Sequence, residues 1–197
     1  MMLGLIKPSE GKIIIDNKNL DSFGRDDILS RINFCSPYIE LPKKLTVKQN
    51  LEVYGRLYGV KNLDDRIIEI SEDLNISDFF LKMTGELSSG QKNRVSLAKA
   101  LINDPTVLLL DEPTASLDPE TGDFIRTFLE NYKKAKNVSI LLASHIMNEV
   151  SRLCDSILMM KNGTIIDSGT PKQLIKKHGR ENLEEVFLQL VRNNNEF

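Results

Sequence analysis

Two adjacent carboxylates, Asp111 and Glu112, close an apolar run from Val107 to Leu110, and Pro113 follows at once. Acids at the C-terminal end of a buried strand stand where open α/β sheets bind their ligands. Neighbouring strand residues face opposite sides, so such a pair can divide its work. One carboxylate can hold Mg²⁺, largely through water. The other can orient or deprotonate an attacking water. A strand end with solvated acids is the plainer alternative. Upstream, Leu87-Ser88-Ser89-Gly90-Gln91 places small residues at the mouth of a helix. Bare backbone N–H groups and the helix dipole make such a mouth an anion site that suits phosphate. An ordinary N-cap serine is the plainer reading there. Ala115-Ser116-Leu117-Asp118 follows the acids, and Ser144-His145 follows the next apolar run. His145 could donate a hydrogen bond to a terminal phosphate; His178, in a charged stretch beside Gly179, has no assigned role.

These residues need elements to hold them. Met1 to Ile6 reads as the tail of a helix, Lys7 to Gly11 as a turn, and Lys12 to Asp16 as a short β-branched strand. Asn33 to Pro42 reads as irregular, with Pro37 and Pro42. Thr46 is placed to cap a helix carrying Val47, Leu51, Tyr54 and Tyr58 at helical spacing. Asn62 is placed to cap a second, with Ile67, Ile70 and Leu74 on one face. A helix from Ser88 to about Ile102 must stop before Pro105. Thr106 to Leu110 and Val138 to Ala143 read as strands buried on both faces. Asp118-Pro119 starts a helix that turns Phe124, Phe128 and Tyr132 toward the core. Asn162-Gly163 joins a hairpin, because both residues tolerate positive φ. Thr170-Pro171 caps a further helix, Asn182 to Val191 forms a last one, and Asn193 to Asn195 is a frayed tail. Helices alternating with apolar strands imply an α/β core with a parallel sheet.

Bulk properties narrow the function classes. With 197 residues, 41% hydrophobic and 27% charged, the chain has the composition of a soluble globular domain. A net charge of −2 argues against a nonspecific nucleic-acid binder. Cys35 and Cys154 read as reduced packing residues rather than a disulfide framework. No apolar run approaches the ~20 residues of a membrane span. Action at a membrane therefore requires another chain to cross it.

Four motifs in this order, on these elements, coincide far less readily by chance than any one of them. The chain resembles the ATP-binding-cassette (ABC) transporter ATPases over nearly its whole length. The resemblance implies a P-loop NTPase-like α/β core over 1–45 and 87–197, with a helical subdomain over 46–86. It implies that Leu87 to Gln91 is the signature motif, with Ser88, Ser89, Gly90 and Gln91 contacting ATP. It further implies Asp111 as the magnesium carboxylate, Glu112 as the catalytic base, Asp118 as the end of an inter-subunit loop, and His145 as the switch histidine. The cofactors implied are ATP and Mg²⁺. The partners are a second ABC ATPase domain, in a homo- or heterodimer, and a transmembrane permease. The location is the cytoplasmic face of the membrane. The segment Leu183 to Phe187 and Gly169-Thr170-Pro171 look like the exporter (ABC-2) type.

Three departures from the family stand out. Ser89 occupies a position that usually holds glycine. No G-x-x-x-x-G-K-[ST] phosphate loop occurs, so the loop and its strand are expected upstream of Met1. The stretch Cys35-Ser36-Pro37-Tyr38 lacks the glutamine that usually follows that strand as a magnesium contact, leaving Ser36 as a weaker oxygen donor. The chain alone is therefore expected to bind ATP poorly and to expose apolar sheet surface. A non-catalytic subunit, lending its signature helix to a partner's ATP, is the alternative. A chromosome-maintenance ATPase would need long heptad arms, and none is present.

Overall fold

The computed structural model describes residues 1–21, 24–38 and 40–193. The chain forms two compact units, one from Met1 to Leu141 and one from Leu142 onward.

The first unit opens without the expected helix: Met1 to Ile6 is a series of turns. Gly4 N–H donates to Met1 O at 2.8 Å, and Gly4 itself has φ +69°, a conformation no right-handed helix contains. Arg25 donates to Gly4 O instead. The expected first strand shortens to β1 (Ile14–Ile15), paired antiparallel with β2 (Lys18–Asn19). Between them Asp16 and Asn17 adopt φ of +49° and +60°, the left-handed geometry a tight hairpin needs. A short helix α1 (Arg25–Ser30), unexpected from the sequence, then leads into β3 (Ile32–Cys35). Ile15, Leu20, Ile28 and Ile32 form one apolar cluster beneath these pieces.

Helix α2 (Val47–Leu57) begins at a capping box: Thr46 Oγ1 accepts from Gln49 N–H, and Gln49 Oε1 from Thr46 N–H. Asn62 precedes α3 (Leu63–Asp73) but makes no side-chain cap, because it sits at φ +51° and ψ +48°. The apolar stripe is as expected, with Ile67, Ile70 and Leu74 all buried. Helix α4 (Ser89–Leu101) runs on to Ile102 as its C-cap and packs against α2, α3 and β3. Asn33, fully buried, donates to Lys99 O and Asn103 Oδ1, tying β3 to the end of α4.

Strand β4 (Val107–Asp111) pairs parallel with β3, Cys35 opposite Leu110. Leu108 and Leu110 are buried, while Val107 and Leu109 are half-buried. Helix α5 (Pro119–Ala135) buries Gly122, Ile125, Leu129 and Tyr132. Phe124 and Phe128, expected in the core, are only half-buried. A 17-residue helix presents one stripe to the core, and they lie beside it, lining a groove with α3. Strand β5 (Ser139–Ala143) completes a sheet of order β3-β4-β5. It is not buried on both faces: Leu141 is half exposed, because β5 lies at the margin of this sheet.

The second unit contains α6 (Met147–Leu153), β6 (Ile157–Lys161), β7 (Thr164–Gly169), α7 (Pro171–His178) and α8 (Leu183–Asn193). Asn162 and Gly163, at φ +49° and +76°, turn the antiparallel β6–β7 hairpin as expected. A core of Val150, Ile157, Met159, Leu174, Leu183 and Val186 holds it together. Asp167 accepts from Lys177 and pairs with His178, each at 2.6 Å, fixing α7 to β7. Hydrogen bonding to Lys177 and then to His178 holds the Asp167 carboxyl down at about 2, the Lys177 bond contributing most. The polar tail from Asn194 lies outside the described residues. Both cysteines are free thiols. Among the described residues no helix is long and apolar enough to cross a membrane.

Candidate functional site

The parallel register of β3 and β4 ends both strands together, so Ser36 and Asp111 emerge side by side. Ser36 Oγ donates to Asp111 Oδ2 at 3.1 Å. Asp111 is exposed at the strand tip, whereas Glu112 is half-buried and has left the strand geometry at φ +49°. A left-handed glutamate costs of order 1 kcal/mol, and such strain concentrates at functional sites. Ala115 N–H donates to Glu112 O at 3.1 Å, which closes a tight turn, and Ser116 is again left-handed at φ +60°. The two acids thus differ in exposure through a backbone change after Asp111 rather than through strand alternation alone.

The opening of α4 is more closed than its sequence implies. Ser88 is the N-cap rather than the first helical residue. Its hydroxyl accepts from Gln91 N–H at 3.2 Å, and Gln91 Oε1 accepts from Ser88 N–H at 3.0 Å. One of the supposedly bare amides is therefore already satisfied. Ser89 is exposed. Gly90 is buried, and a Cβ there would come within 3.3 Å of both Thr121 Cγ2 and Oγ1. That glycine brings the start of α4 against the start of α5. Asp118 caps α5 by accepting from Thr121 N–H at 2.9 Å. The same amide holds the Asp118 carboxyl below the usual carboxylate range.

Asn93, which no sequence motif singled out, donates to Pro113 O at 2.8 Å and ties α4 to the turn after the acids. Its one legible signal is position, one helical turn beyond Ser89 on the same face. Asn50 and Thr84 secure the opposite wall through Pro42 O, at 3.3 and 2.8 Å. Between these walls lies a cavity of 370 Å³, bordered by Ser36, Tyr38, Leu87, Ser89, Asn93 and Ser116 among others. Lys99, on α4, is buried. Its ammonium donates to Phe34 O at 2.9 Å and stands over the Phe34 ring, 4.5 Å from the centroid. Burial lowers its pKa.

Ser144 and His145 belong to the second unit. Ser144 Oγ accepts from Ile146 N–H at 3.1 Å, and His145 is exposed just ahead of α6. Among the described residues no cluster of three or more His, Cys, Asp or Glu side chains is placed to hold a metal ion. An ion that keeps most of its waters and leans on one carboxylate fits Asp111, which Ser36 holds; a fully protein-coordinated ion does not.

A parallel sheet with acids at its C-terminal rim defines an open-sheet α/β domain, the class that takes ligands at that rim. Comparison with known proteins specifies the family. A family model described as ABC transporter matches residues 1–115. The ABC transporter ATP-binding protein NatA of Bacillus subtilis is 34% identical over 98% of this chain and 79% of its own length. The Nod factor export ATP-binding protein I of a Rhizobium species is 34% identical over 95% of the chain and 62% of its own length. A methionine import ATP-binding protein of Bacillus cereus is 37% identical over 86% of the chain, which spans about half (51%) of that protein. A solved ATP-binding subunit of an ABC transporter superposes with a TM-score of 0.85 at 23% identity, over 96% of this chain and 80% of that one. The cbiO1 protein of Clostridium perfringens, part of the cbiONQ transporter complex, superposes with a TM-score of 0.76 at 32% identity, over 98% and 78%. This chain belongs to the ABC transporter family, as an ATP-binding subunit.

Proposed function

We propose that the chain couples ATP binding and hydrolysis to membrane transport, in the direction of export. The observation that carries this reading is the convergence of Ser36, Asp111 and the strained Glu112 at one sheet rim, beside the capped start of α4. In this reading Asp111 holds the Mg²⁺ of ATP, largely through water, and the ion offsets phosphate charge when bound. Glu112 orients and deprotonates the attacking water, since a half-buried carboxylate on a rigid turn suits a general base. Ser88, Ser89, Gly90 and Gln91 close over the ATP held by the partner ATPase domain, with Ser89 exposed and Gly90 setting the helix position. Asp118 holds the loop before α5 at the boundary with a second ATPase domain, and His145 reports the terminal phosphate. Residues 1–45 and 87–197 act as the core, 46–86 as the helical subdomain. A permease carries the membrane span and holds the subunit at the cytoplasmic face. Export is favoured because the likeness to an export protein extends over more of the chain than the likeness to an import protein, 95% against 86%.

Glu112→Gln in the assembled complex tests this directly. ATP binding should persist while turnover falls about 10²–10⁴-fold, the usual worth of a general base. Unchanged turnover would remove the catalytic reading. A non-catalytic subunit that serves a partner's ATP is favoured by one observation, the lack of the family's usual glutamine in Cys35-Ser36-Pro37-Tyr38. Retained complex turnover in the Glu112 variant, with loss on changing Ser88 to Gln91, would select it.

A further inference from the structure

Register decides the neighbour of Asp111. Cys35 lies opposite Leu110, so one step further along both strands sets Ser36 beside Asp111. A serine hydroxyl has one proton to give and two lone pairs to receive with. Here the proton goes to Asp111 Oδ2 at 3.1 Å, and the oxygen receives Tyr38 N–H at 3.4 Å. Ser36 is 9% exposed, whereas Asp111 is exposed, so the bond is anchored from the protein side. With one lone pair of Oδ2 engaged, Oδ1 is the less committed oxygen toward a cation.

We propose that Ser36 is a positioning residue for Asp111: its hydroxyl fixes the plane of the carboxylate so that a nucleotide-borne divalent cation meets an already oriented Oδ1. The inference rests on the reading of Asp111 as the magnesium carboxylate. It differs from the sequence expectation, in which Ser36 would itself reach the ion; the hydroxyl proton is already committed to Asp111. An alanine at this position would free the carboxylate to rotate in solvent, and each productive encounter would then have to fix it again.

Mn²⁺, titrated by electron paramagnetic resonance against the assembled ATPase complex with a non-hydrolysable ATP analogue, reads cation affinity without turnover. Ser36→Ala should weaken Mn²⁺ binding about three- to tenfold, the worth of one hydrogen bond to a charged acceptor near solvent. Ser36→Thr, which keeps the hydroxyl, should restore it to within about twofold. The KM for Mg²⁺ in steady-state hydrolysis should rise with the Ala variant by the same factor, with kcat nearly unchanged. A merely structural serine would instead lower the melting temperature and kcat together, and that result overturns the proposal. Asp111→Asn separates the two readings. If it binds Mn²⁺ as well as the parent, Asp111 is not the magnesium carboxylate and both readings fall. If it loses Mn²⁺ while Ser36→Ala does not, the positioning role alone is refuted.

Discussion

Gly90 sits inside the signature segment, yet its surroundings say that its missing Cβ is used for packing. Gly90→Ala separates these uses. Replacing a helical glycine with alanine ordinarily gains up to ~1 kcal/mol, less near the N-terminus. Here the new methyl would meet Thr121 Cγ2 and Oγ1 at 3.3 Å, with Thr121 Cβ at 3.8 Å. Overpacking of this kind costs about 1–3 kcal/mol. Thr121 has little room to yield, because its N–H is held by the Asp118 cap. Disturbing that cap adds about 0.5–2 kcal/mol. A 3.3 Å contact asks for a shift of only a few tenths of an ångström, so both costs fall in the lower half of their ranges and, less the gain, leave a net destabilisation of roughly 1–2 kcal/mol. In a domain of this size that lowers the melting temperature by about 2–8 °C. Thr121→Ala removes the clashing atoms while keeping the amide for Asp118. The double variant should therefore recover most of the loss, giving a coupling of about 1 kcal/mol in a double-mutant cycle. Urea denaturation of the four proteins supplies the measurement. A Gly90→Ala protein at least as stable as the parent, with no coupling to Thr121, would refute the packing argument.

Two further outcomes follow from buried or paired charges. Lys99→Ala should cost about 2–4 kcal/mol, through a void and the loss of the Phe34 O bond, whereas Lys99→Met, which keeps volume and removes a desolvated charge, should cost less than half as much; paired urea melts decide. Asp167 has a folded-state pKa below its unfolded value, so its contribution is present above about pH 4 and is lost as pH falls through about 2. The methyl resonances of Leu174, buried on α7, should accordingly broaden only below that window, and Asp167→Asn should abolish the acid dependence.

Much of the local structure was legible in the residues. The caps at Thr46, Asp118 and Thr170 and the hairpin at Asn162-Gly163 are encoded within a few positions of themselves. A side-chain oxygen three residues from an amide finds it without help from the rest of the chain. The motifs fixed the family for the same reason, as each is a contiguous string on one element. What needed the tertiary structure was every decision between elements. The Ser36–Asp111 contact depends on strand register across 75 positions. Gly90 against Thr121 depends on how two helix starts meet, and the half-exposure of Phe124, Phe128 and Leu141 on which elements lie beside them. Composition and periodicity report how apolar a position is. Whether an apolar position is covered is a property of its neighbours in space, which no local window of sequence contains.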